Sequence, residues 1–549
     1  MSRNLRGLSE RKGLRESLFE EIVRAYTGDD GDDEQRLGII REKYLTGSSS
    51  ILSVSSFYDF LRKEHREKKV YICDGTACLT SGGNERLRKE LLRSYSEDEI
   101  GTVTCLGHCH SNNAFLHGHR TIVWDGTELS GPEIGKAAVA EVKINTGTNV
   151  PKPALLSPTG DPCEYYSVLR SFCSDIPGAI GQIEKSGLRG RGGAGFSFAA
   201  KKHASRSAAG HRKYIICNAD EGDPGAFSDK WLLEERPHSV LFGMMAAGMI
   251  TGADTGILYI RGEYPEAVIA VKKAVQELVS EKISSRNLWK CEKDFTFHVV
   301  EGAGAYICGE ETSLINSLEG LRPEVRTRPP YPATYGLFGK PTLLSNVETF
   351  ANIRYILTEG GEAYAALGTE RSPGTKLVSL DGGFNRPGLY EVRMGTPLRE
   401  VFEDMGGGTK YPVKAYQIGG PLGGIVPSTM VEKLTLDFES FASNGFLLGH
   451  AGVVSVPEEF SMPELLLHLF DFTSRESCGK CFPCRIGAKR GEELLAGAIR
   501  EGRKIDRELF DDLLDTLQLG SLCALGGGLP LPVWNAMKYF PGEMSKIFN

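Results

Sequence analysis

The sequence lacks three features that would direct the protein to a membrane, out of the cell or onto nucleic acid. No apolar run reaches the ~20 residues of a membrane-spanning helix, and the longest apolar stretch, residues 239–253, is rich in Gly and Met, so we expect a buried helix there. No positive charge excess exists, since 64 Lys and Arg face 71 Asp and Glu, which disfavours nucleic-acid binding. The charged N-terminus has no apolar core for an export signal. We therefore expect a cytoplasmic protein with no direct membrane insertion.

Cysteine is plentiful, although disulfides do not persist in a reducing compartment. The chain of 549 residues, long enough for three or four domains, has 13 cysteines. Eight form two groups of four near opposite ends. The other five lie singly among apolar neighbours, and we expect small core residues at Cys163, Cys173, Cys217, Cys291 and Cys308.

The C-terminal group has Cys478, Cys481 and Cys484 in a C-x2-C-x2-C run, with Cys523 much later. Such a run wraps three thiolates round one face of a cubic cluster and leaves the fourth ligand to a remote residue, whereas tetrahedral zinc usually uses two separated C-x2-C pairs. The spacing predicts a 4Fe-4S cluster. Cys523 would also tie the following helical segment to it.

The N-terminal group consists of two cysteine pairs, Cys73 with Cys78 and Cys105 with Cys109. Each pair follows a short β-like run, so the four thiols can converge where two strands end. The spacing is not the C-x-x-C of a disulfide oxidoreductase, and it favours a 2Fe-2S cluster. Zinc is the alternative. We expect the neighbouring His108 and His110 to lie in a solvated loop.

The middle of the chain alternates strand, turn and helix, which indicates an α/β class. Buried strands are predicted at residues 214–217 and 296–300, with a helix over Pro265–Ser280. GRGGAGF at residues 190–196 contains a formal G-x-G-x-x-G, but no strand precedes it, so an ordinary Rossmann turn is not expected. Arg191 and Lys201 are available there to meet a phosphate; the alternative is a structural glycine run.

Two further glycine-containing loops follow predicted strands. Asn218, Asp220 and Glu221 belong to NADEGDPG, where amide and carboxylate groups can hold hydroxyls or the edge of a heterocycle; an acidic turn that caps a helix is the alternative. GAGAYICGEE offers a stacking face at Tyr306 and an acid pair at Glu310 and Glu311. That pair could meet nicotinamide or ribose, or could simply begin a helix.

Five motifs carry a resemblance to a known family. GRGGAGF, NADEGDPG, GAGAYICGEET, GLFGKPTLLSNVET and ESCGKCFPC, in this order, resemble the NADH-binding flavoprotein subunit of respiratory complex I and its soluble relatives, over about residues 160–549. Those relatives are the diaphorase subunits of NAD-linked hydrogenases and formate dehydrogenases. The first ~140 residues, with CDGTAC and CLGHC, resemble the small thioredoxin-like 2Fe-2S subunit of the same systems. Fusion of the two is the pattern of the soluble diaphorases.

The resemblance implies FMN, NAD(H), a 2Fe-2S cluster and a 4Fe-4S cluster as cofactors. The family's FMN contacts match Gly190, Arg191, Gly192, Lys201, Asn218, Asp220, Gly309 and Asn346. Its nicotinamide-nucleotide contacts match Phe196, Glu221, Tyr306, Glu311 and Tyr331, with Glu310 beside them. Ser197, Phe198 and Lys202 replace the family's usual Pro, Thr and Trp, and Ser345 replaces an Asn. These changes leave the choice between NAD and NADP open.

We expect a multidomain α/β protein. Residues 1–144 are predicted to hold amphipathic helices and a thioredoxin-like 2Fe-2S domain, and residues 145–160 to be a linker. One apolar helix face is expected at Leu18, Ile22, Val23 and Ala25. A Rossmann-like FMN and NADH domain follows at 161–365, then a β-grasp-like domain at 374–457, expected to be a spacer. A helical bundle at 458–549 is expected to hold the 4Fe-4S cluster.

The expected function is that of a diaphorase subunit. Nicotinamides give two electrons as hydride, iron-sulfur clusters accept one at a time, and a flavin converts between them. We expect NADH to stack between Phe196 and Tyr306, and electrons to pass through the C-terminal cluster to an iron-sulfur or catalytic subunit of a hydrogenase, formate dehydrogenase or low-potential, even bifurcating, reductase. The N-terminal cluster would be a side store or second exit. The alternative is a non-catalytic iron-sulfur relay scaffold with a decayed nucleotide site.

Overall fold

A computed structural model describes residues 10, 13–28, 33–126, 129, 144–284 and 294–549. Cys291 lies outside these ranges. None of the helices in the described ranges combines the length and apolarity that a membrane crossing needs.

The strands are β1 Val70–Cys73, β2 Ile100–Val103, β3 Ala114–His117, β4 Arg120–Val123, β5 Asn145–Thr148, β6 Tyr214–Ala219, β7 Thr255–Ile260, β8 Thr296–Glu301, β9 Thr342–Asn346, β10 Thr375–Leu380, β11 Gly388–Arg393, β12 Val413–Ile418, β13 Ile425–Pro427 and β14 Gly452–Pro457. The helices in the first half are α1 Leu18–Thr27, α2 Asp33–Tyr44, α3 Ser48–Ser55, α4 Lys63–Arg66, α5 Thr76–Thr80, α6 Gly83–Leu91, α7 Pro162–Cys173, α8 Ile176–Ser186, α9 Phe198–Ser207, α10 Ser228–Glu235, α11 Pro237–Thr251 and α12 Pro265–Ser280. Those in the second half are α13 Glu311–Leu318, α14 Pro332–Tyr335, α15 Val347–Ala351, α16 Ile353–Glu359, α17 Gly361–Ala365, α18 Phe438–Ser443, α19 Met462–Glu476, α20 Ala488–Glu501, α21 Arg507–Gly520, α22 Ala524–Gly528, α23 Pro530–Tyr539 and α24 Pro541–Met544.

The N-terminal part pairs a helical segment with a small mixed sheet. The sheet has the order β2-β1-β3-β4, with β1 parallel to β2 and antiparallel to β3, which agrees with the predicted thioredoxin-like domain. Of the predicted apolar face on α1, Leu18 and Ile22 are buried, and Val23 and Ala25 are half-buried. The face packs in one apolar cluster with residues of β6 and β7, such as Ile216 and Ile257. The N-terminal helices therefore cover one face of the next sheet.

The central sheet is entirely parallel and has the order β8-β7-β6-β9. Its chain order runs from β6 outward to β8 on one side, while β9 joins β6 on the other side. A parallel sheet whose order reverses in this way opens a crevice at the carboxyl ends of the two strands that flank the reversal. β6 is buried as predicted, whereas β8 is the edge strand and is only half-buried. The helix predicted over residues 239–253 is confirmed as α11, which is buried along its length.

The third sheet is mixed, with the order β13-β12-β14-β10-β11-β5. The sequence predicts residues 145–160 as a linker, but Asn145–Thr148 forms strand β5, which pairs in parallel with β11. The backbone N–H groups of Ala154, Leu155 and Leu156 then donate to the buried carboxylate of Glu391 on β11. This segment is therefore packed on the β-grasp-like unit rather than free.

The C-terminal helices form a bundle, as predicted. Leu465 and Leu469 of α19 share a buried cluster with Leu495 of α20 and Leu514 of α21. The same cluster includes Ile425 of β13, so the bundle packs against the third sheet.

Candidate functional site

A cavity of about 1320 Å³ opens at the carboxyl ends of β6 and β9. This is the point where the strand order of the parallel sheet reverses, and Asn218 and Asn346 lie in register there, one on each strand. The cavity is lined by every residue that the sequence predicts for flavin or nucleotide binding: Gly190, Arg191, Gly192, Phe196, Lys201, Asn218, Asp220, Glu221, Tyr306, Gly309, Glu310, Glu311, Tyr331 and Asn346.

The glycine loop, residues 190–195, follows helix α8 and its cap rather than a strand. Gly193 and Gly195 have φ angles of +129° and +61°, which glycine adopts without steric strain. A Cβ atom at Gly192 would lie 2.9 Å from the Cβ of Asn346. Small residues are thus required for the loop to approach β9 and leave its backbone facing the cavity.

Arg191 is predicted to be available to a phosphate, and in the structure one end of its side chain is held by neighbouring groups. Its side chain is fully buried, and its Nη2 donates to the hydroxyl of Tyr364 at 3.0 Å and to the carbonyl of Pro373 at 2.5 Å. Its Nε and Nη1 are buried without a hydrogen-bond partner. Unpartnered buried donors are costly, and an anion at the cavity wall would satisfy them. The loop therefore fits the phosphate of FMN.

Glu310 and Glu311 form ion pairs with basic side chains. Lys201 Nζ lies 2.9 Å from Glu311 Oε2, and Arg328 lies 2.7 Å from both Glu311 Oε1 and Glu310 Oε1. Glu310 also accepts from the backbone N–H groups of Thr312 and Ser313, so it caps helix α13. The helix-capping interpretation thus holds for Glu310, while Glu311 faces the cavity between two cations.

The loop after β6 divides its side chains between helix capping and the cavity. Glu221 accepts from Ser228 Oγ and from the backbone N–H groups of Asp229 and Lys230, so its carboxylate caps helix α10 and is less free for a nucleotide than predicted. Asp220 instead has a buried Oδ2 with no partner, and burial raises its pKa well above the usual range. Asn218 Nδ2 donates to the Gly309 carbonyl at 2.7 Å.

Asn346 is held at the end of β9. Its Nδ2 donates to Asp229 Oδ2 at 2.8 Å, and its Oδ1 accepts from the backbone N–H and hydroxyl of Thr349 at 2.9 Å. The residue therefore fixes the start of α15 on the cavity wall.

Aromatic rings lie on different parts of the cavity wall. Tyr306 donates to Asp223 Oδ1 at 2.6 Å and packs edge-on against Phe472 at 4.9 Å between ring centroids. Phe196 and Tyr331 are 56% and 58% exposed, which leaves their faces open for stacking by a heterocycle.

The four C-terminal cysteines lie together beside this cavity. Cys478 and Cys484 are buried in one small cluster, and Cys481 and Cys523 pack against it together with Tyr306. Cys523 also lines the cavity. Burial raises the pKa of Cys484 to about 11 and that of Cys523 to about 12, and a metal cation beside them would lower both pKa values.

The N-terminal cysteines converge as the strand pattern predicts, because β1 and β2 run in parallel and end together. Cys73 Sγ lies 4.0 Å from Cys105 Sγ, which lies 3.4 Å from Cys109 Sγ, and all four thiols of the group, including Cys78, are buried. Cys109 Sγ accepts from the backbone N–H of Gly225 at 3.3 Å. The group thus touches the loop that leads to the flavin cavity.

The two histidines beside this group are not in a solvated loop as predicted. His110 is buried, with its ring 5.1 Å from that of Phe227. Burial lowers the pKa of His108 well below its usual value, with Lys230 adding to the effect. Phe227, at the start of helix α10, contacts His110, and Lys230 on the same helix lies near His108.

Of the scattered thiols, Cys217 and Cys308 are buried as predicted, Cys173 is half-buried and Cys163 is exposed. Cys163 lies near the start of α7, on its outer side, so the prediction of a core residue is wrong there. Within the described ranges, no three His, Cys, Asp or Glu side chains already have the geometry of a metal-ion site. The cluster ligands therefore stay predictions that rest on the two cysteine motifs.

Sequence reasoning missed the contribution of the β-grasp-like unit. The cavity is also lined by Phe438, Glu439, Leu448 and His450, so the unit is more than the predicted spacer. No local motif marks these residues, because they reach the cavity only through contacts between distant parts of the chain. His450 Nε2, for example, lies 3.0 Å from Asp223 Oδ2.

Three known family models match the chain. The Nuo51 FMN-binding domain matches residues 183–355, the SLBB domain matches residues 377–426, and the iron-sulfur binding region of NADH-ubiquinone oxidoreductase F matches residues 464–547. These three segments contain most of the cavity wall, all or part of four of the six strands of the third sheet and all four C-terminal cysteines.

Individual proteins agree with these matches. The F 2 subunit of the NADH-quinone oxidoreductase of Rhizobium meliloti (strain 1021) is 38% identical over 402 residues, which are 72% of this chain and 94% of that protein. The HndC subunit of the NADP-reducing hydrogenase of Solidesulfovibrio fructosivorans is 42% identical over 364 residues, 66% of this chain and 74% of that protein. A crystal structure of NAD+-reducing [NiFe]-hydrogenase in the H2-reduced state matches with a TM-score of 0.84 and 26% identity, covering 97% of this chain and 93% of that one. The chain thus belongs to the family of the NADH-quinone oxidoreductase F subunits, with their FMN-binding and 4Fe-4S domains.

Proposed function

We propose that the protein is the nicotinamide-nucleotide-oxidising or -reducing FMN subunit of a heteromeric redox complex. The observation that carries the proposal is that one cavity gathers all the predicted flavin and nucleotide residues and has Cys523 in its wall. A cofactor bound there would lie next to the C-terminal cysteines. That proximity is what electron transfer from a flavin to a cluster requires.

FMN would be held at the glycine loop and at the ends of β6 and β9. FMN supplies the conversion between hydride and single electrons. The loop backbone and the unpartnered Nε and Nη1 of Arg191 would bind its phosphate, and Lys201 would add a positive charge. Asn218, Asp220 and Asn346 would orient the rest of the cofactor, and burial raises the pKa of the Asp220 carboxyl well above its usual range.

The nicotinamide nucleotide would use the more open side of the cavity. Phe196 and Tyr331 offer exposed aromatic faces, and Glu311 offers a carboxylate to ribose hydroxyls. Since Lys201 and Arg328 both pair with Glu311, an additional phosphate would also meet cations there. HndC is named as NADP-reducing; comparison of kcat/KM for NADH and NADPH decides which nucleotide this chain prefers.

Two iron-sulfur clusters would complete the electron-transfer path from the flavin. Cys478, Cys481, Cys484 and Cys523 would hold the 4Fe-4S cluster, and Cys73, Cys78, Cys105 and Cys109 a 2Fe-2S cluster that serves as a side store or second exit. Iron and zinc analysis of the purified protein tests the second assignment. Zinc in place of about two of the irons would rule out the 2Fe-2S cluster.

Electrons would leave through a partner subunit at the C-terminal bundle. Phe482, Ile486, Leu519 and Leu522 are exposed apolar side chains beside the cluster cysteines, and such groups are typical of protein interfaces. The partner would be an iron-sulfur or catalytic subunit of a hydrogenase, formate dehydrogenase or low-potential reductase. The free thiols favour a cytoplasmic location for this complex.

The test is NADH-dependent dye reduction by protein purified without oxygen and supplied with FMN. We expect a flavin spectrum and dye reduction that saturates with NADH. Absence of both would instead support the iron-sulfur relay scaffold without a working nucleotide site. Proteins that co-purify with the chain would identify the partner complex.

A further inference from the structure

Arg189, directly before the glycine loop, joins that loop to the β-grasp-like unit. Its Nε donates to the carbonyl of Gly195 at 2.7 Å, so the side chain spans the loop. Its Nη1 donates to the carbonyl of Arg371 at 2.8 Å and to Glu439 Oε1 at 2.7 Å. The guanidinium also lies over the ring of Phe438, with Cζ 4.2 Å from the ring centroid. One side chain therefore connects the loop to helix α18.

Glu439 is itself fixed by neighbouring groups. Its Oε2 accepts from Ser372 Oγ at 2.5 Å, and that Oγ accepts from the backbone N–H of Phe438 at 3.3 Å. Partial burial raises the pKa of Glu439, but Ser372 and Arg189 together outweigh it and keep the pKa below its usual range. Both charged side chains are only 25% exposed. This pair is thus better shielded and better oriented than an ordinary surface ion pair.

Apart from the buried side chain of Arg191, which donates to Tyr364 and Pro373, the loop has few restraints of its own. Its glycines have more backbone freedom to lose on ordering than other residues. Within the flavin domain, the backbone N–H of Arg191 donates to Thr349 Oγ1 at 2.9 Å, and that of Gly190 donates to the carbonyl of Phe196 at 2.8 Å. A Cβ at Gly195 would lie 3.1 Å from Phe438, so helix α18 packs closely on the other side.

We propose that Arg189 and Glu439 form a clamp through which the β-grasp-like unit holds the glycine loop in its flavin-binding conformation. Arg189 is then a positioning residue for FMN, and the inference rests on the proposed binding of FMN at this loop. A loop that is already ordered loses less entropy when ligand binds. Loss of the clamp therefore weakens FMN retention and leaves the nicotinamide contacts in place.

The test measures the dissociation constant of FMN for the full chain, from the fluorescence of free FMN after the cofactor has been removed and added back. We expect Arg189→Met to raise this constant by about 10- to 100-fold and Glu439→Gln by about 3- to 10-fold. The double variant should be no weaker than Arg189→Met, because the two side chains act through one contact. Lys185→Met is the matched control. It loses a 2.8 Å ion pair to Glu362 outside the cavity and should bind FMN as the wild type does.

A kinetic readout separates positioning from general destabilisation. At FMN concentrations above the raised constant, the KM for NADH and kcat of the variants should return to wild-type values. Wild-type FMN constants in both single variants, or fully additive effects in the double variant, would overturn the clamp, as would activity that saturating FMN does not restore. Glu439→Gln keeps Arg189 and serves alone if Arg189→Met does not fold. A wild-type chain that binds no FMN would overturn the proposed function instead.

Discussion

Glu310 and Glu311 are sequence neighbours with different tasks. Glu310 accepts from the first backbone N–H groups of α13, which is the ordinary use of an acid at a helix N-terminus. Glu311 instead lies between Lys201 and Arg328 at the cavity. The cations hold Glu311 in place, so its carboxylate is oriented before a ribose arrives.

Glu311→Gln should raise the KM for NADH by about 10- to 100-fold, because a hydrogen bond to a charged acceptor is lost. FMN content should not change. Steady-state kinetics with an artificial acceptor measure the effect. Glu362→Gln, which removes the carboxylate of the exposed pair with Lys185, is the control. An unchanged KM with a lowered kcat would assign Glu311 to another step.

Asp381 gives the β-grasp-like unit a pH dependence. Its carboxylate oxygens accept from Ser455, yet burial raises its pKa from 3.8 to about 7. Below about pH 4 the group is protonated in both states. Between pH 4 and 7 the unfolded chain ionises while the folded one keeps its proton, so the free energy of unfolding falls by up to about 4 kcal/mol.

Asp381→Asn should therefore lose this part of the pH dependence. Urea unfolding at pH 5 and pH 8 is the measurement, and the difference between the two values should be smaller in the variant than in the wild type. Asp512→Asn, on the exposed side of α21, is the control and should keep the wild-type difference. Equal differences in all three proteins would show that Asp381 does not titrate in this range.

At the residue scale, the sequence predicts which side chains meet but not what each one binds. All predicted flavin and nucleotide residues line one cavity, because two of the motifs follow strand ends and the glycine loop packs against Asn346 at the end of β9. Arg191 turns inward to Tyr364 and Pro373, and Glu221 caps α10. The partners of Arg191 are distant in sequence, and the backbone N–H groups that Glu221 binds are available only once helix α10 has formed. No local sequence pattern therefore reveals either set of contacts.

Among the elements, α11 has little amphipathic character because it is buried on all sides. At Gly243 the helix meets α15, where a Cβ would lie 2.0 Å from the carbonyl oxygen of Phe350. That neighbour is backbone, which cannot move aside as a flexible side chain can. The glycine is thus required by helix packing rather than by the turn chemistry that explains the loop glycines.

Gly243→Ala should destabilise the protein by about 1 to 3 kcal/mol, the usual range for overpacking. Gly181→Ala on α8 is the matched control, since a Cβ there meets nothing within 4 Å. It should stabilise its helix by about 0.5 to 1 kcal/mol. Urea unfolding of both variants measures the two effects. A Gly243→Ala protein as stable as the wild type would mean that α11 and α15 can separate at no cost.

Regular elements with a strong pattern are predicted well. The helix expected over Pro265–Ser280 has those bounds in the structure, because Pro at its start and a regular apolar face define it. β5 is missed. Its polar residues resemble a linker, and only pairing with β11 makes them a strand.

For the whole molecule, the segment around the N-terminal cysteine group contacts three other units: the flavin domain, the β-grasp-like unit and the C-terminal bundle. Cys109 accepts from Gly225 of the flavin domain through its thiol and from Gly382 of the β-grasp-like unit through its carbonyl. Asp74 lies 2.9 Å from Arg475 of the C-terminal bundle. The order of the domains follows from the motifs, but these contacts between domains do not.

Cys523→Ser should remove the C-terminal cluster alone. Iron content should fall from about six to about two per chain, and amide hydrogen exchange should become faster in α22 and α23, which the remote ligand ties down. Cys163→Ser, at an exposed thiol, should keep all its iron. Retention of six irons by the Cys523 variant would assign the fourth ligand elsewhere.

Strand β5 also bears on how the chain is made. Asn145 pairs with Gly388, so 388 − 145 = 243 residues must be synthesised before the partner of β5 exists. At a synthesis rate of about 5 to 20 residues per second, the edge of β5 stays unpaired for roughly 10 to 50 s while the chain is being made. During that time the N-terminal metal domain can fold and acquire its cluster, while β5, which follows that domain in the chain, stays unpaired until β11 of the β-grasp-like unit has been made.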